Sequence, residues 1–219
     1  MRVKVCGVCR PADGAAAAAA GADYVGVILA ATSPRLQSMA GAAEVFSASG
    51  EALRVGVFVD AAVETIAAAA RTLELGVAQL HGEESPDAVA AVRALGVVVW
   101  KAVRPRTADE LMRAVERYSP AVDGLLIDGW SAHGHGGVGA RAPWDVLASA
   151  REAVPPHVLV VLAGGLTADN VGAAKAALAP DVVDVSSGVE RVVGEKSTDR
   201  MKAFIAAART AQPATRSTR

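Results

Sequence analysis

The chain has 219 residues, of which 52% are hydrophobic and only 4% are aromatic. That length is enough for one domain with a sizeable core, which Val, Leu, Ile and Ala must fill. The 22 basic and 23 acidic residues leave a formal net charge of -1, which gives no electrostatic basis for binding nucleic acid or an anionic membrane. No apolar run reaches the roughly 18 residues of a membrane helix, so we expect no membrane partner.

Eight short apolar runs alternate along the chain with eight stretches of helical spacing. The predicted strands cover 3–6, 24–29, 54–59, 77–80, 97–102, 123–127, 158–163 and 182–185. The predicted helices cover 11–21, 38–49, 61–74, 85–95, 107–118, 143–153, 168–178 and 198–210. This alternation predicts a single-domain α/β fold, a (β/α)₈ TIM barrel over residues 1–211. Residues 212–219 carry no apolar pattern and are predicted to form a disordered tail.

Capping patterns support several of these helix boundaries. Three predicted helices begin at a side chain that can accept a backbone N–H, namely Ser85, Thr107 and Thr167. Glycines stand where four helices are expected to stop, at Gly21, Gly50, Gly76 and Gly96. The connection from Gly129 to Pro143 is polar, Gly-rich and long, so we expect it to move or to bring backbone close to a ligand.

The two cysteines, Cys6 and Cys9, stand three positions apart within or beside a predicted strand. A redox-active Cys-x-x-C pair normally opens a helix, so the pattern does not favour disulfide chemistry. The apolar strand pattern begins at Val3, and no signal-peptide pattern precedes it. We therefore expect a cytoplasmic protein in a reducing compartment.

Residues that can carry chemistry or bind an anion stand at the ends of the predicted strands. They end or closely follow six of the apolar runs: Cys6, His81, Lys101, Asp128, Gly164 and Asp184. In a (β/α)₈ barrel the carboxyl ends of all strands open on one face. These groups, although far apart in sequence, are therefore predicted to meet at one mouth.

The order and spacing of several motifs carry a resemblance to a known family. These motifs are KVCGVCRPADGAAAAAAGADYVGVI (4–28), SPR (33–35), RVGVFV (54–59), QLHGEES (79–85), LLIDG (125–129), GGVG (136–139), LAGGL (162–166) and DVSSGVE (184–190). From about residue 2 to about residue 208 the chain resembles phosphoribosylanthranilate isomerase of tryptophan biosynthesis. The resemblance implies an Amadori rearrangement of a small phosphosugar–anthranilate substrate, an aminoaldose, into the corresponding aminoketose. It implies no metal and no redox cofactor.

Two residues of these motifs match the acid and the base of that family. Cys6 matches the general base that removes the proton from C2′ of the ring-opened Schiff base, and a nearby positive charge or the dipole of the phosphate site would favour its thiolate. Asp128 matches the general acid that protonates the furanose ring oxygen, which requires a raised carboxyl pKa. Without the resemblance, a free Cys is usually a small buried hydrophobe and such an Asp often caps the following turn.

Three further side chains are expected to line the substrate pocket. Arg35 matches the residue that binds the anthranilate carboxylate, for which a guanidinium fork is well suited. The alternative for a lone loop Arg is a solvated side chain or a surface ion pair. His81 and Asp184 match pocket-lining positions, and hydrogen bonding at the barrel rim remains an equal alternative for both.

Glycine-bearing turns after the seventh and eighth strands match the phosphate site of the family. The matching residues are Gly164, Gly165, Ser186, Ser187 and Gly188, with Gly136 and Gly137 of the sixth loop as further contributors. Glycines let backbone N–H groups approach an anion, and these two loops often hold phosphate in this fold. Tight-turn geometry alone is the alternative.

Other interpretations stay open. Lys101 stands where a Schiff-base aldolase carries its lysine, but an ion pair at the rim is the favoured interpretation. His133 and His135 share one loop without a convincing set of further ligands, so we expect no metal. The rival functions are another phosphosugar isomerase or epimerase, and a barrel that binds a phosphate ligand without catalysis. Departures from the family pattern, such as the aliphatic run 27–31, motivate the second rival. The sequence leaves monomer and homodimer equally open.

Overall fold

A computed structural model of the chain describes residues 1–129 and 144–210, apart from the side chains of Asp145 and Val146. Within these residues the barrel strands are β1 (Arg2–Val5), β2 (Tyr24–Ile28), β3 (Leu53–Phe58), β4 (Val77–Leu80), β5 (Val98–Val103), β6 (Gly124–Ile127), β7 (Leu159–Leu162) and β8 (Val182–Val185). The α-helices are α1 (Pro11–Ala19), α2 (Met39–Ala48), α3 (Val63–Leu73), α4 (Pro86–Arg93), α5 (Ala108–Tyr118), α6 (Trp144–Leu147), α7 (Val171–Leu178) and α8 (Thr198–Thr210). Short 3-10 helices cover Ser119–Ala121, Ala148–Ala153 and Ser187–Val189, and two further strands are β9 (Glu190–Val192) and β10 (Glu195–Lys196). None of the described helices has both the length and the apolar composition needed to span a membrane.

The strands β1 to β8 form a closed parallel barrel, in which each strand pairs with its neighbours in chain order and β8 returns to β1. Lys4 of β1, for example, stands beside Tyr24 of β2 on one side and Asp184 of β8 on the other. Parallel pairing places all eight carboxyl ends on one face of the barrel. The predicted (β/α)₈ architecture is confirmed.

Side chains alternate between two buried layers along each barrel strand. Val3 and Val5 of β1 are fully buried in the layer between strands and helices, so Lys4 and Cys6 point the other way, into the barrel. The apolar part of the interior consists of Tyr24, Val55, Val77, Trp100, Ala102, Leu126, Val161, Ala163 and Val182. The rings of Tyr24 and Trp100 meet edge to face with centroids 5.1 Å apart. The interior is therefore packed with apolar side chains between the two ends of the barrel.

Two of the three predicted helix caps are confirmed. Ser85 and Thr107 each accept a backbone N–H of their own first turn at 3.2 Å. The cap predicted at Thr167 is wrong, because Asn170 precedes α7 instead. The Asn170 amide accepts the N–H of Thr167 and donates to the carbonyl of Gly165, both at 2.8 Å, which folds these residues into a turn rather than a helix.

Three of the four predicted glycine stops are confirmed. Gly21, Gly50 and Gly96 have φ of 94°, 55° and 83°, the left-handed conformation that ends a helix. Gly76 does not, because Glu74 already ends α3 with φ 51°. The N–H of Gly76 instead donates to the carbonyl of Arg54 at 3.0 Å and extends the pairing of β3 with the segment that leads into β4.

The largest differences from the predicted elements follow β6 and β8. The described part of the predicted helix 143–153 is a single α-helical turn, α6, followed by a 3-10 helix. After β8, the strands β9 and β10 form an antiparallel hairpin where no strand is predicted. Strands of three and two residues are too short to show a hydrophobic period. The tail predicted at 212–219 lies outside the described residues.

Candidate active site

A cavity opens at the carboxyl-terminal face of the barrel. Together with the open space at its mouth it takes up about 870 Å³. Ten of the twelve predicted site residues line it: Cys6, Arg35, His81, Asp128, Gly164, Gly165, Asp184, Ser186, Ser187 and Gly188. The other two, Gly136 and Gly137, lie outside the described residues. Ile28 and Ala30, in the run that departs from aromatic residues, contribute apolar surface, as does Val57 of β3.

Cys6 follows the last residue of β1, and it is only 6% exposed where it borders the cavity. Burial raises the pKa of its thiol, Asp184 adds to this rise, and Lys4 and Lys196 offset it only in part. The expected positive charge is therefore present and favours the thiolate, but the net shift of the pKa is upward. Lys4 supplies that charge, but the cost of burying the thiolate exceeds the attraction.

Asp128 follows the last residue of β6 and is also 6% exposed. Its Oδ1 accepts the N–H of Gly129 at 2.8 Å, so the carboxylate caps the following turn and lines the cavity at the same time. Its Oδ2 lies 3.1 Å from Nε2 of His81. The turn cap predicted for Asp128 is thus confirmed, and the same carboxylate borders the cavity.

His81 connects Asp128 to Gln79, which lies two residues earlier on β4. Nε2 of Gln79 lies 2.9 Å from Nδ1 of His81. With the Gln79 amide in this orientation, Nδ1 accepts the hydrogen bond and the ring carries its proton on Nε2, from which it donates to Asp128. His81 therefore lines the cavity and also forms hydrogen bonds at the barrel rim.

Asp184 of β8 forms a buried ion pair with Lys4 of β1. Nζ of Lys4 donates to Oδ2 of Asp184 at 3.0 Å. Burial raises the pKa of Asp184, and the ammonium offsets only part of that rise. The other oxygen, Oδ1, has no hydrogen-bond partner among the described residues, although the residue lines the cavity. Because an unpaired buried acceptor costs free energy, Oδ1 is suited to accept a donor from a ligand.

Arg35 lines the cavity, and its guanidinium is held by Glu190 of β9. Nε and Nη2 donate to the two carboxylate oxygens at 2.7 Å each, and Lys196 of β10 donates to the same carboxylate at 2.8 Å. Burial alone would raise the pKa of Glu190, but Arg35 and Lys196 lower it below its ordinary value. The alternative of a surface ion pair for Arg35 is wrong, because the β9–β10 hairpin buries the pair.

The turns after β7 and β8 approach each other at the edge of the cavity. Gly164 and Gly165 have φ of 87° and 62°, which favours glycine at both positions. A Cβ on Gly188 would overlap the carbonyl oxygen of Leu166, so the second turn needs a glycine to pack against the first. Both turns line the same cavity, and glycine-bearing turns of this kind can bind an anion through their backbone N–H groups.

Lys101 is not among the residues that line the cavity. Its ammonium lies 3.0 Å from the carboxylate of Glu84 and donates to the carbonyls of Gly82 and Ala102 at 2.8 and 2.9 Å. Burial lowers the pKa of Lys101, and Glu84 opposes that shift. The ion-pair interpretation of Lys101 is confirmed.

Within the part of the chain that the structure describes, no group of three or more His, Cys, Asp and Glu side chains is arranged to hold a metal ion. His133 and His135, the two histidines weighed for this role, lie outside that part.

Four residues of the site were missed by sequence reasoning: Lys4, Gln79, Glu190 and Lys196. A signal existed for the first two, because Lys4 and Gln79 stand two positions before Cys6 and His81 and so share their strand faces. No local signal marks Glu190 or Lys196, because their contacts depend on how the β9–β10 hairpin folds over the barrel.

Comparisons with known proteins agree with one another. The family model for N-(5′-phosphoribosyl)anthranilate isomerase matches residues 3–207. An N-(5′-phosphoribosyl)anthranilate isomerase from Rubrobacter xylanophilus is 40% identical over 209 residues, which cover 95% of this chain and 98% of the relative.

Two solved structures are similar over nearly the whole chain. Phosphoribosyl anthranilate isomerase from Thermus thermophilus superposes with a TM-score of 0.85 at 33% identity, covering 97% of this chain and 100% of the other. A phosphoribosyl anthranilate isomerase in complex with reduced 1-(o-carboxyphenylamino)-1-deoxyribulose 5-phosphate superposes with a TM-score of 0.83 at 31% identity, covering 95% and 98%.

Proposed function

The chain belongs to the N-(5′-phosphoribosyl)anthranilate isomerase family, and on this premise we propose that it isomerises N-(5′-phosphoribosyl)anthranilate to 1-(2-carboxyphenylamino)-1-deoxyribulose 5-phosphate in tryptophan biosynthesis. The resemblance that the sequence motifs indicate is confirmed at the level of the family. One observation carries the assignment to this chain's own residues. Cys6 of the first strand and Asp128 of the sixth line the same cavity, together with the glycine turns after β7 and β8.

Asp128 acts as the general acid in the ring-opening step. It gives a proton to the furanose ring oxygen, the bond from C1′ to that oxygen breaks, and the lone pair of the anthranilate nitrogen forms the C1′=N bond of a protonated Schiff base. The hydrogen bond from His81 to Oδ2 stabilises the carboxylate that remains.

Cys6 acts as the general base in the next step. Its thiolate takes the proton from C2′, the C–H electron pair forms a C1′=C2′ bond, and the C1′=N pair returns to nitrogen. The resulting enol becomes a ketone when C1′ gains a proton and the 2′-hydroxyl loses one. Because burial raises the pKa of the thiol, forming this thiolate costs more than forming that of an exposed thiol.

The remaining predicted residues hold the substrate between acid and base. Arg35 binds the anthranilate carboxylate, with its guanidinium orientation set by Glu190. Backbone N–H groups around Gly164, Gly165 and the Ser186–Gly188 turn bind the phosphate, with Gly136 and Gly137 as further contributors. His81 and Asp184 contact the sugar, and Oδ1 of Asp184 accepts a hydroxyl. Fixing both anionic ends places C2′ near Cys6 and the ring oxygen near Asp128.

Complementation of a tryptophan auxotroph that lacks this isomerase tests the proposal. We expect the unmodified chain to restore growth without tryptophan. Cys6→Ala and Asp128→Ala should not restore it, although both variants should still bind a phosphate-bearing product analogue. Growth with either variant would reject the assigned roles.

Two outcomes would favour the rival functions. Failure of the folded, unmodified chain to restore growth would favour a barrel that binds a phosphate ligand without catalysis. Loss of activity on treatment with a chelator would favour a metal-dependent epimerase on the same barrel.

The proposal extends to organisation and location. Residues 1–211 act as one catalytic domain in the cytoplasm, as a monomer or a homodimer. The presence of Cys6 and Cys9 as free thiols fits a reducing compartment. Removal of 212–219 should leave activity unchanged, and sedimentation velocity distinguishes the two assembly states.

A further inference from the structure

Lys4 is a fully buried cation next to the proposed base. It stands two residues before Cys6, on the same inward face of β1. A Cβ on Gly26 of β2 would lie 3.1 Å from Nζ of Lys4 and 3.1 Å from Sγ of Cys6. The ammonium of Lys4 and the thiol of Cys6 therefore both lie against the backbone of Gly26, and the missing side chain leaves room for both.

We propose that Lys4 is a positioning residue for the isomerase reaction, whose ammonium, held in place by Asp184, stabilises the thiolate of Cys6. The inference rests on the proposed function, in which Cys6 is the base. Lys4 keeps its proton throughout, and the proton taken from C2′ stays on sulfur. A thiolate this deeply buried is costly unless a charge compensates it, and Lys4 is placed to do so.

Among the described residues, four charged groups from the surrounding elements act on the thiol: Lys4 from β1, Asp184 from β8, Lys196 from β10 and Arg35 from the segment after β2. Of these, Lys4 lowers the pKa of Cys6 most. Arg35 and Lys196 are both bound to Glu190, which neutralises much of their effect. Lys4 is thus the main cation that acts on the thiol.

The ion pair with Asp184 keeps Lys4 charged. Burial alone would lower the pKa of Lys4, but Asp184 and Cys6 together raise it above its ordinary value. The 3.0 Å hydrogen bond to Oδ2 also fixes the position of Nζ between the carboxylate and the thiol. Asp184 therefore has two opposite effects on Cys6. Its own negative charge raises the pKa of the thiol, whereas the ammonium of Lys4, which it holds in place, lowers that pKa.

Titration of the Cys6 thiolate by its ultraviolet absorbance tests this role. The parent carries Cys9→Ser, so that Cys6 is its only thiol, and Cys9→Ser/Cys6→Ala serves as the blank. We expect Lys4→Met to raise the pH of half-ionisation by about 1 to 3 units, the usual effect of losing a close opposite charge. The rising limb of kcat against pH should move by the same amount, so that activity recovers in alkali, while KM changes little.

Gly26→Ala tests the same contact with the charge of Lys4 retained. Its methyl group would press between Nζ and Sγ, so we expect the thiol titration to move in the same direction as in Lys4→Met. Gly56→Ala is the matched control on the neighbouring strand, where the methyl group meets Leu75 and Phe58 instead. Lys101→Met/Glu84→Gln is the control for loss of a buried ion pair. Both controls should titrate like the parent.

The outcomes separate three cases. If Lys4→Met and Gly26→Ala titrate like the parent, Lys4 has only a structural role and the inference is overturned. If Lys4→Met does not fold, Gly26→Ala decides the question. If the parent has no isomerase activity, the proposed function fails, but the shift in the thiol titration still shows whether Lys4 stabilises the thiolate.

Discussion

His81 donates to Asp128 across the mouth of the barrel, with 3.1 Å between Nε2 and Oδ2. Gln79 lies on the other side of the ring, with its amide nitrogen 2.9 Å from Nδ1. This contact leaves Nε2 as the nitrogen that donates. The three side chains form one directed chain of hydrogen bonds that ends on the proposed acid. Its last bond stabilises the ionised form of Asp128, which is the form left after the acid has given up its proton.

Removal of the two donors in this chain should lower kcat to different extents. Gln79→Met should reduce kcat by about 2- to 10-fold, because a neutral hydrogen bond contributes about 0.5–1.5 kcal/mol. His81→Leu should reduce it by about 10- to 100-fold, because a hydrogen bond to a charged group contributes about 1.5–3 kcal/mol. Steady-state kinetics gives both values. Changes confined to KM would contradict this account.

Arg35→Lys should raise KM by about 10- to 100-fold with a smaller effect on kcat. Lysine cannot form the fork that binds Glu190 and a substrate carboxylate together, so a charge-assisted interaction of about 1.5–3 kcal/mol is lost. The comparison variant is Arg54→Lys, whose partner Glu74 is largely exposed and which should leave both constants unchanged. An unchanged KM in Arg35→Lys would show that Arg35 does not bind the substrate.

Gly188→Ala should weaken both the fold and phosphate binding. The added methyl group would overlap the carbonyl of Leu166, so the two turns must separate at a cost of about 1–3 kcal/mol in the free energy of unfolding. Gly76→Ala is the control, because its nearest neighbour would lie 3.4 Å away and its effect should stay within about 0.5 kcal/mol. Urea unfolding and titration with inorganic phosphate measure the two effects. Equal losses in both variants would refute the prediction.

Lys101→Met should destabilise the protein strongly, by about 3–5 kcal/mol, because it leaves the buried carboxylate of Glu84 without its ammonium. The double variant Lys101→Met/Glu84→Gln should regain much of this loss, because it no longer buries an unpaired charge. Urea unfolding of the single and double variants checks this. A double variant less stable than Lys101→Met would contradict the explanation.

The same pair should make stability depend on acid pH. Burial alone would raise the pKa of Glu84, but Lys101 lowers it below the ordinary value, which is about 4.3 in an unfolded chain. The carboxylate of Glu84 therefore binds a proton more readily in the unfolded state than in the folded state. The ion pair contributes its full stabilisation of the fold above about pH 4.3, and this contribution is lost as the pH falls through the pKa of Glu84 in the folded state. Urea unfolding at a series of pH values should show this slope, and Glu84→Gln should reduce it.

Much of this protein follows from local patterns in its sequence. The period of the apolar runs predicts eight strand–helix units, because each strand and each helix must bury one face. The order of the motifs places Cys6, Asp128 and the two glycine turns at strand ends, and parallel strands bring those ends together. The caps at Ser85 and Thr107 depend only on residues of the same turn, so they too can be predicted.

Other properties depend on residues that are far apart in sequence. The ionisation of Cys6 depends on its burial and on Lys4 and Asp184, and the last of these is 178 positions away along the chain. The orientation of Arg35 depends on a hairpin whose strands are too short to show a pattern. Sequence alone therefore determined which groups reach the mouth of the barrel. Only the tertiary structure decided their charges and partners, because these depend on distance and desolvation in the folded chain.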